Sequence, residues 1–156
     1  MTKLEPPRST GQRTADVLAK LTAQPGTEND VWIASAGANG SAYLIPLSFC
    51  WDGSTLTIAT PKNSRTARNL TRARRARMAL GPTRDVVILE GLLEIIPEAH
   101  VDDGLASSFA SATGFDPRQS DVEYVYFRMT PQRVQAWREE NELAGRDIMK
   151  DGAWLA

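Results

Sequence analysis

The stretch SAYLIPLSFCWDGSTLTIAT, residues 41–60, constrains the fold more than any other part of the chain. Asp52-Gly53 is a turn dipeptide set between two runs rich in β-branched and aromatic residues, a pattern that reads as a β-hairpin. Further strand signals surround it. DVWIASAG precedes it, followed by the turn signal ANG, and ARMALGP follows it after a basic helix running from about Ser64 to Arg74. DVVILEGLLEII reads as a longer strand with Gly91 at a bulge or a close backbone approach. VEYVYFRMTP and RVQAWRE read as two more strands separated by Pro131. Six or seven sequential strands joined by short turns predict an antiparallel barrel, mainly β, with inserted helices making it α+β.

Two of those helices are amphipathic. Val17, Leu18 and Leu21 recur at helical spacing after Thr10, and Pro25-Gly26 should end that helix. Pro97 should open another, carrying Val101, Leu105 and Phe109 and ending by Gly114. Residues 1–9, with Pro6 and Pro7, read as a flexible tail, and residues 10–156 as one domain, the size that 156 residues suit.

Charge is uneven along the chain. The net charge is −1, yet seven of the eighteen basic side chains fall between Lys62 and Arg77, with no acid among them. Asn63 or Ser64 is placed to cap the basic helix. A first helical turn favours Asp or Glu because the macrodipole is positive there, but this one holds Arg65 and Arg68. An external anion resolves the conflict. Thr60 ends a strand, a tight loop follows, and free N–H groups, the Thr60 and Ser64 hydroxyls and two guanidinium groups would converge on a phosphate. A solvated basic face is the alternative, as is a nucleic-acid surface, although the chain has no helix-turn-helix, zinc-finger or RNP-type motif.

Other chemistry is sparse. A single cysteine, Cys50, and a single histidine, His100, argue against a metal cage, an internal disulfide or a Ser-His-Asp triad. Cys50 reads as a small buried hydrophobe and His100 as surface. No catalytic side chain and no metal ligand is expected, so a cofactor should carry any difficult chemistry. No run approaches the apolar length of a membrane span and the N-terminus lacks a signal-peptide core, so neither a membrane nor a nucleic-acid partner is expected and a cytoplasmic location is.

The segment order in VWIASAGANGSAYLIPLSFCWDGSTLTIATPKNSRTARNLTRARRARMALG resembles the split-barrel flavin-binding family named after pyridoxamine 5′-phosphate oxidase, well over residues 28–96 and more weakly beyond. The resemblance implies a Greek-key split β-barrel and a homodimer that binds FMN, or in one branch coenzyme F420, in clefts between subunits. It puts Thr60, Ser64, Arg65 and Arg68 at the cofactor phosphate, beside Asn69 of the Asn-Leu pair, and runs the backbone of Pro46, Leu47 and Ser48 along the ring system. Trp137 and Arg146 would approach from the partner chain. Departures accompany it. Leu44, Phe49 and Thr66 stand where the vitamin B6 oxidases carry basic residues, and their substrate-binding positions have no convincing match, so pyridoxamine phosphate is not the expected substrate.

The expectation is therefore an FMN- or F420-dependent oxidoreductase acting on a small, apolar or aromatic molecule, with FMN favoured from the breadth of the family. Phe49, Trp51, Tyr126 and Trp137 are aromatic candidates for the pocket or for the core. Arg72, Arg74, Arg75 and Arg77 would greet the acidic tail of F420, or Arg74 to Arg77 would simply flank a strand, and Glu90 would face the cleft or pair with an arginine. A carrier or sensor that binds cofactor without turnover is the alternative.

Overall fold

A computed structural model describes residues 3–22 and 29–156. Eight strands form one antiparallel sheet: β1 (Asp30–Ala36), β2 (Ala42–Trp51), β3 (Leu56–Pro61), β4 (Arg75–Leu80), β5 (Val86–Pro97), β6 (Tyr124–Trp137), β7 (Asp147–Lys150) and β8 (Ala153–Trp154). Six of them, in the order β3-β2-β1-β4-β5-β6, close into a barrel through the β3–β6 pairing, and β7 and β8 extend the sheet beyond β6. The helices are α1 (Thr10–Leu21), α2 (Arg65–Ala73) and α3 (Asp103–Thr113). This is a split barrel, and the core fills its interior: Ile33, Leu56, Ile58, Met78, Leu89, Phe127 and Met129 are all fully buried.

The hairpin turn is built by Asp52, whose carboxylate accepts from the Ser54 N–H at 2.8 Å and the Thr55 N–H at 2.6 Å. Gly53 takes φ +98°, which a side chain would resist. α1 starts on a reciprocal capping box between Ser9 and Gln12 and buries Val17 and Leu21 against the barrel interior. Its expected end at Pro25-Gly26 lies outside the described residues. α3 covers the outer surface of β2, β3, β5 and β6 with Phe109, which meets Tyr126 edge-on at 5.5 Å.

Three expectations are corrected. Pro131 does not separate two strands, because β6 runs unbroken past it and takes up one extra residue, Gln132, opposite Glu90 and Gly91. Gly91 permits this close crossing, since a Cβ there would lie 2.1 Å from the Thr130 carbonyl oxygen. Pro97 ends β5, and the next α-helix begins only at Asp103, capped by Asp102. The short strands β7 and β8 were not anticipated. Within the expected tail, Arg8 is fixed: its guanidinium and backbone N–H all donate to Glu142.

Candidate functional site

β3 changes neighbours along its length. Phe49, Cys50 and Trp51 of β2 pair with its first three residues, whereas Ala59, Thr60 and Pro61 pair only with β6. From Ala42 to Ser48, β2 therefore has β1 on one edge and no strand on the other, and this is where the barrel splits. The Phe49 N–H donates to the Asn29 carbonyl at 2.8 Å. By strand alternation the Ser48 N–H and the Pro46 carbonyl face the open edge, and the missing N–H of Pro46 costs no ladder bond. The Pro46 side chain is exposed, Leu47 packs against the core, and the Ser48 hydroxyl donates to Asp30 at 2.7 Å.

α2 starts directly after the split. Ser64 caps it, its hydroxyl oxygen accepting from the Ala67 N–H and lying 3.1 Å from the Thr60 hydroxyl. The Arg65 and Thr66 N–H groups precede the first intrahelical donor and stay available. Arg65 stacks its guanidinium over the Tyr43 ring of β2 at 4.9 Å, and Arg68 donates to the Asn63 carbonyl at 2.5 Å. Neither has a carboxylate partner among the described residues, so no described acid answers the helix dipole. Asn69 is buried and donates to the Ser35 hydroxyl at 3.1 Å, fastening the helix to β1. Sequence reasoning missed Tyr43 and Ser35, since both owe their roles to strands folded back over the helix start.

The remaining arginines divide. Arg72, on α2, donates to the Ala36 carbonyl, and Arg77 holds Glu90 at 2.5 Å across β4 and β5, which fits the strand-flank reading of Arg77 and the paired reading of Glu90. Arg74, at φ 56°, closes α2 in a left-handed conformation. Lys62 pairs with Glu123 at 3.5 Å. Beyond it lies a cavity of about 380 Å³ lined by Glu98, Arg118, Asp121 and Glu123, whose acidic balance suits an anion poorly.

Phe49 and Tyr126 are core residues, 2% and 0% exposed. Burial pushes the Cys50 thiol up to about 11, as expected of an inert hydrophobe, and His100 is exposed. Trp137 and Arg146 come together, the guanidinium 5.7 Å from the indole ring. They lie far from Thr60 and Ser64, because Thr60 pairs with Val125 at the start of β6 whereas Trp137 ends that strand. At about 3.3 Å per residue the separation approaches ~40 Å along the strand. One chain therefore does not unite the two halves of the expected site.

Between them stretches an apolar outer surface. Pro46 faces Trp32, Trp32 faces Ala79 and Ala79 faces Ile88, a row across β2, β1, β4 and β5. Trp32 is 49% and the neighbouring Leu44 58% exposed, and a charged row containing Arg77, Glu90 and Arg133 flanks them. No described helix is long and apolar enough to cross a membrane.

A family profile described as pyridoxamine 5′-phosphate oxidase matches residues 18–138. No curated protein sequence matches. Among solved structures, a heme binding protein from Mycobacterium smegmatis superposes with a TM-score of 0.66 at 19% identity over 96% of this chain and 60% of its own. An F420 reductase gives 0.58 at 16% identity, over 73% and 92%. A pyridoxamine 5′-phosphate oxidase-related, FMN binding protein from Nostoc punctiforme gives 0.56 at 15% identity, over 90% and 89%. At these identities the likeness is one of fold.

Proposed function

Because the chain belongs to the pyridoxamine 5′-phosphate oxidase family, we propose that it is a flavin- or deazaflavin-dependent oxidoreductase that works as a cytoplasmic homodimer. FMN is the first candidate and coenzyme F420 the second. The observation that carries this reading is the cradle at the split: two hydroxyls 3.1 Å apart, free N–H groups at a helix start, and two guanidinium groups without a carboxylate partner among the described residues. The donor set fits a phosphate, and the open edge of β2 fits a flat heterocycle that needs hydrogen-bond partners along its rim.

When bound, the ring system would supply the hydride or electron transfer. The residues of this chain hold and orient it: Thr60, Ser64, Arg65 and Arg68 at the phosphate, with Asn69 anchoring their helix, and the backbone of Pro46, Leu47 and Ser48 along the ring. Trp137 and Arg146 complete the site from a second copy docked through the Trp32 face, since their own cradle is out of reach. A small apolar or aromatic substrate suits the exposed ring face. Pyridoxamine phosphate does not, because Phe49 is locked in the core and Leu44 is uncharged where the B6 oxidases are basic.

Titration of the purified protein with FMN and, separately, with F420, followed by absorbance, tests the reading. Arg65→Ala and Arg68→Ala should each weaken binding by about 1.5–3 kcal/mol, the scale of hydrogen bonds to charged groups. Binding of neither cofactor defeats the proposal. Binding without faster reoxidation by any candidate acceptor than by buffer would leave a carrier or sensor.

A further inference from the structure

Arg13 is charged, 5% exposed, and has no carboxylate partner among the described residues. Its Nη1 donates to the Ala136 carbonyl at 3.2 Å and to the Gly145 carbonyl. Those two carbonyls belong to the peptide units leading into Trp137 and Arg146. The Ala136 N–H in turn donates to the Arg146 carbonyl at 2.9 Å, so one guanidinium bridges the two backbone segments that carry the stacked pair. Between those segments, Arg8 holds Glu142, which also accepts from the Arg138 N–H at 2.8 Å. The N-terminal segment thus grips the 136–146 connection at its middle and at both ends.

We propose that Arg13 is a positioning residue that fixes, through the Ala136 and Gly145 carbonyls, the orientation of Trp137 and Arg146 toward the partner subunit's cofactor. The inference rests on the functional reading above. Both bonds leave one nitrogen, Nη1, at the tip of a buried stem, and an apolar side chain there would leave both carbonyls without that donor. Carbonyls at a strand end need donors in any case, so satisfaction of the backbone alone is the competing explanation.

The two explanations separate in a cycle of variants. The indole N–H resonance of Trp137, identified by its loss in Trp137→Ala, is measured in the full-length protein without cofactor, and FMN affinity is measured by titration. Arg13→Met should move that resonance and weaken FMN binding by roughly tenfold, whereas in the Trp137→Ala/Arg146→Ala background the same change should cost less than about twofold. Should Arg13→Met fail to fold, Arg13→Lys carries the same comparison with a smaller loss. An unmoved resonance, unchanged affinity, or an equal loss in both backgrounds overturns the proposal. If the wild type binds neither FMN nor F420, the functional reading itself falls; wild-type binding that is indifferent to Arg13 sinks this inference alone.

Discussion

Glu142→Gln isolates the ionic latch between the N-terminal segment and the turn after β6. In the folded protein the Glu142 carboxylate accepts from Arg8 Nε at 3.1 Å, Arg8 Nη2 at 2.9 Å and the backbone N–H groups of Arg8 and Arg138, both at 2.8 Å. The Arg8 guanidinium, with those backbone donors, holds the carboxyl down at about 2 against an ordinary 4.5. A depression of that size corresponds to roughly 3 kcal/mol of pH-linked stability, at 1.36 kcal/mol per pKa unit. The folded value is the lower one, so the contribution is complete above pH 4.5 and is lost as pH falls from there toward 2. A carboxamide removes the charge and turns an N–H₂ toward donors, while Asp16 and Asp85 remain near Arg8 at 2.9 and 3.9 Å. The variant should therefore lose about 3 kcal/mol at pH 7, a fall in Tm of about 6–12 °C for a domain of this size. Urea unfolding of both proteins at several pH values between 7 and 2.5 checks this, because carboxylates common to both cancel in the difference. The gap should narrow steadily below pH 4.5. A gap that is independent of pH, or smaller than about 1 kcal/mol at pH 7, would refute the electrostatic reasoning and assign Glu142 to packing.

Gly91→Ala places a methyl group 2.1 Å from the Thr130 carbonyl oxygen and 3.0 Å from Pro131 Cα, both backbone. Without a flexible side chain to yield, it should cost about 3 kcal/mol or more in urea unfolding, and a wild-type midpoint would show that β5 and β6 separate easily. Trp32→Asp should abolish the proposed dimerisation, leaving a monomer in size exclusion with light scattering, since Trp32 is 49% exposed on the face proposed to meet the second copy. Ser64→Ala removes the acceptor for the Ala67 N–H and should lower stability by about 1 kcal/mol, besides weakening FMN binding.

Which parts of this fold could be read beforehand follows from the range of the interactions. The Asp52-Gly53 hairpin, the Ser64 cap and the Gly114 stop, where φ is +74°, are settled by a few neighbouring residues and are visible in them. The same holds for the contact of the Thr60 and Ser64 hydroxyls, because the two residues are four apart across a strand end and a helix cap. β6 was misread because the bulge at Gln132 reverses which residues face inward, Phe127 and Met129 before it and Val134 and Ala136 after it. A Pro beside a change of phase looks like a break when the opposing Gly91 is ignored. Arg13 gave no local sign of burial, since its partners stand more than a hundred residues away. The resemblance names Trp137 and Arg146 only as two residues that approach a cofactor; their stacking on each other comes from the structure, and no spacing rule supplies it.

The split itself depends on where one pairing stops. Had β3 paired with β2 along its whole length, Thr60 would face a continuous ladder and α2 would begin against a closed wall. Instead β3, paired with β6 throughout, loses β2 after Ile58, and seven residues of β2 keep an edge to which no strand is added. Open edges invite pairing with other chains, and proteins commonly blunt them with charges, proline or a cover. Here the edge carries Pro46, the basic start of α2 stands over it, and Tyr43 beneath Arg65 shapes its far end. Proline and arginine discourage another strand while leaving a carbonyl and an N–H free for a planar guest. The features that guard the edge against aggregation are therefore the ones that would select a flat, hydrogen-bonding, anionic molecule under the proposed function.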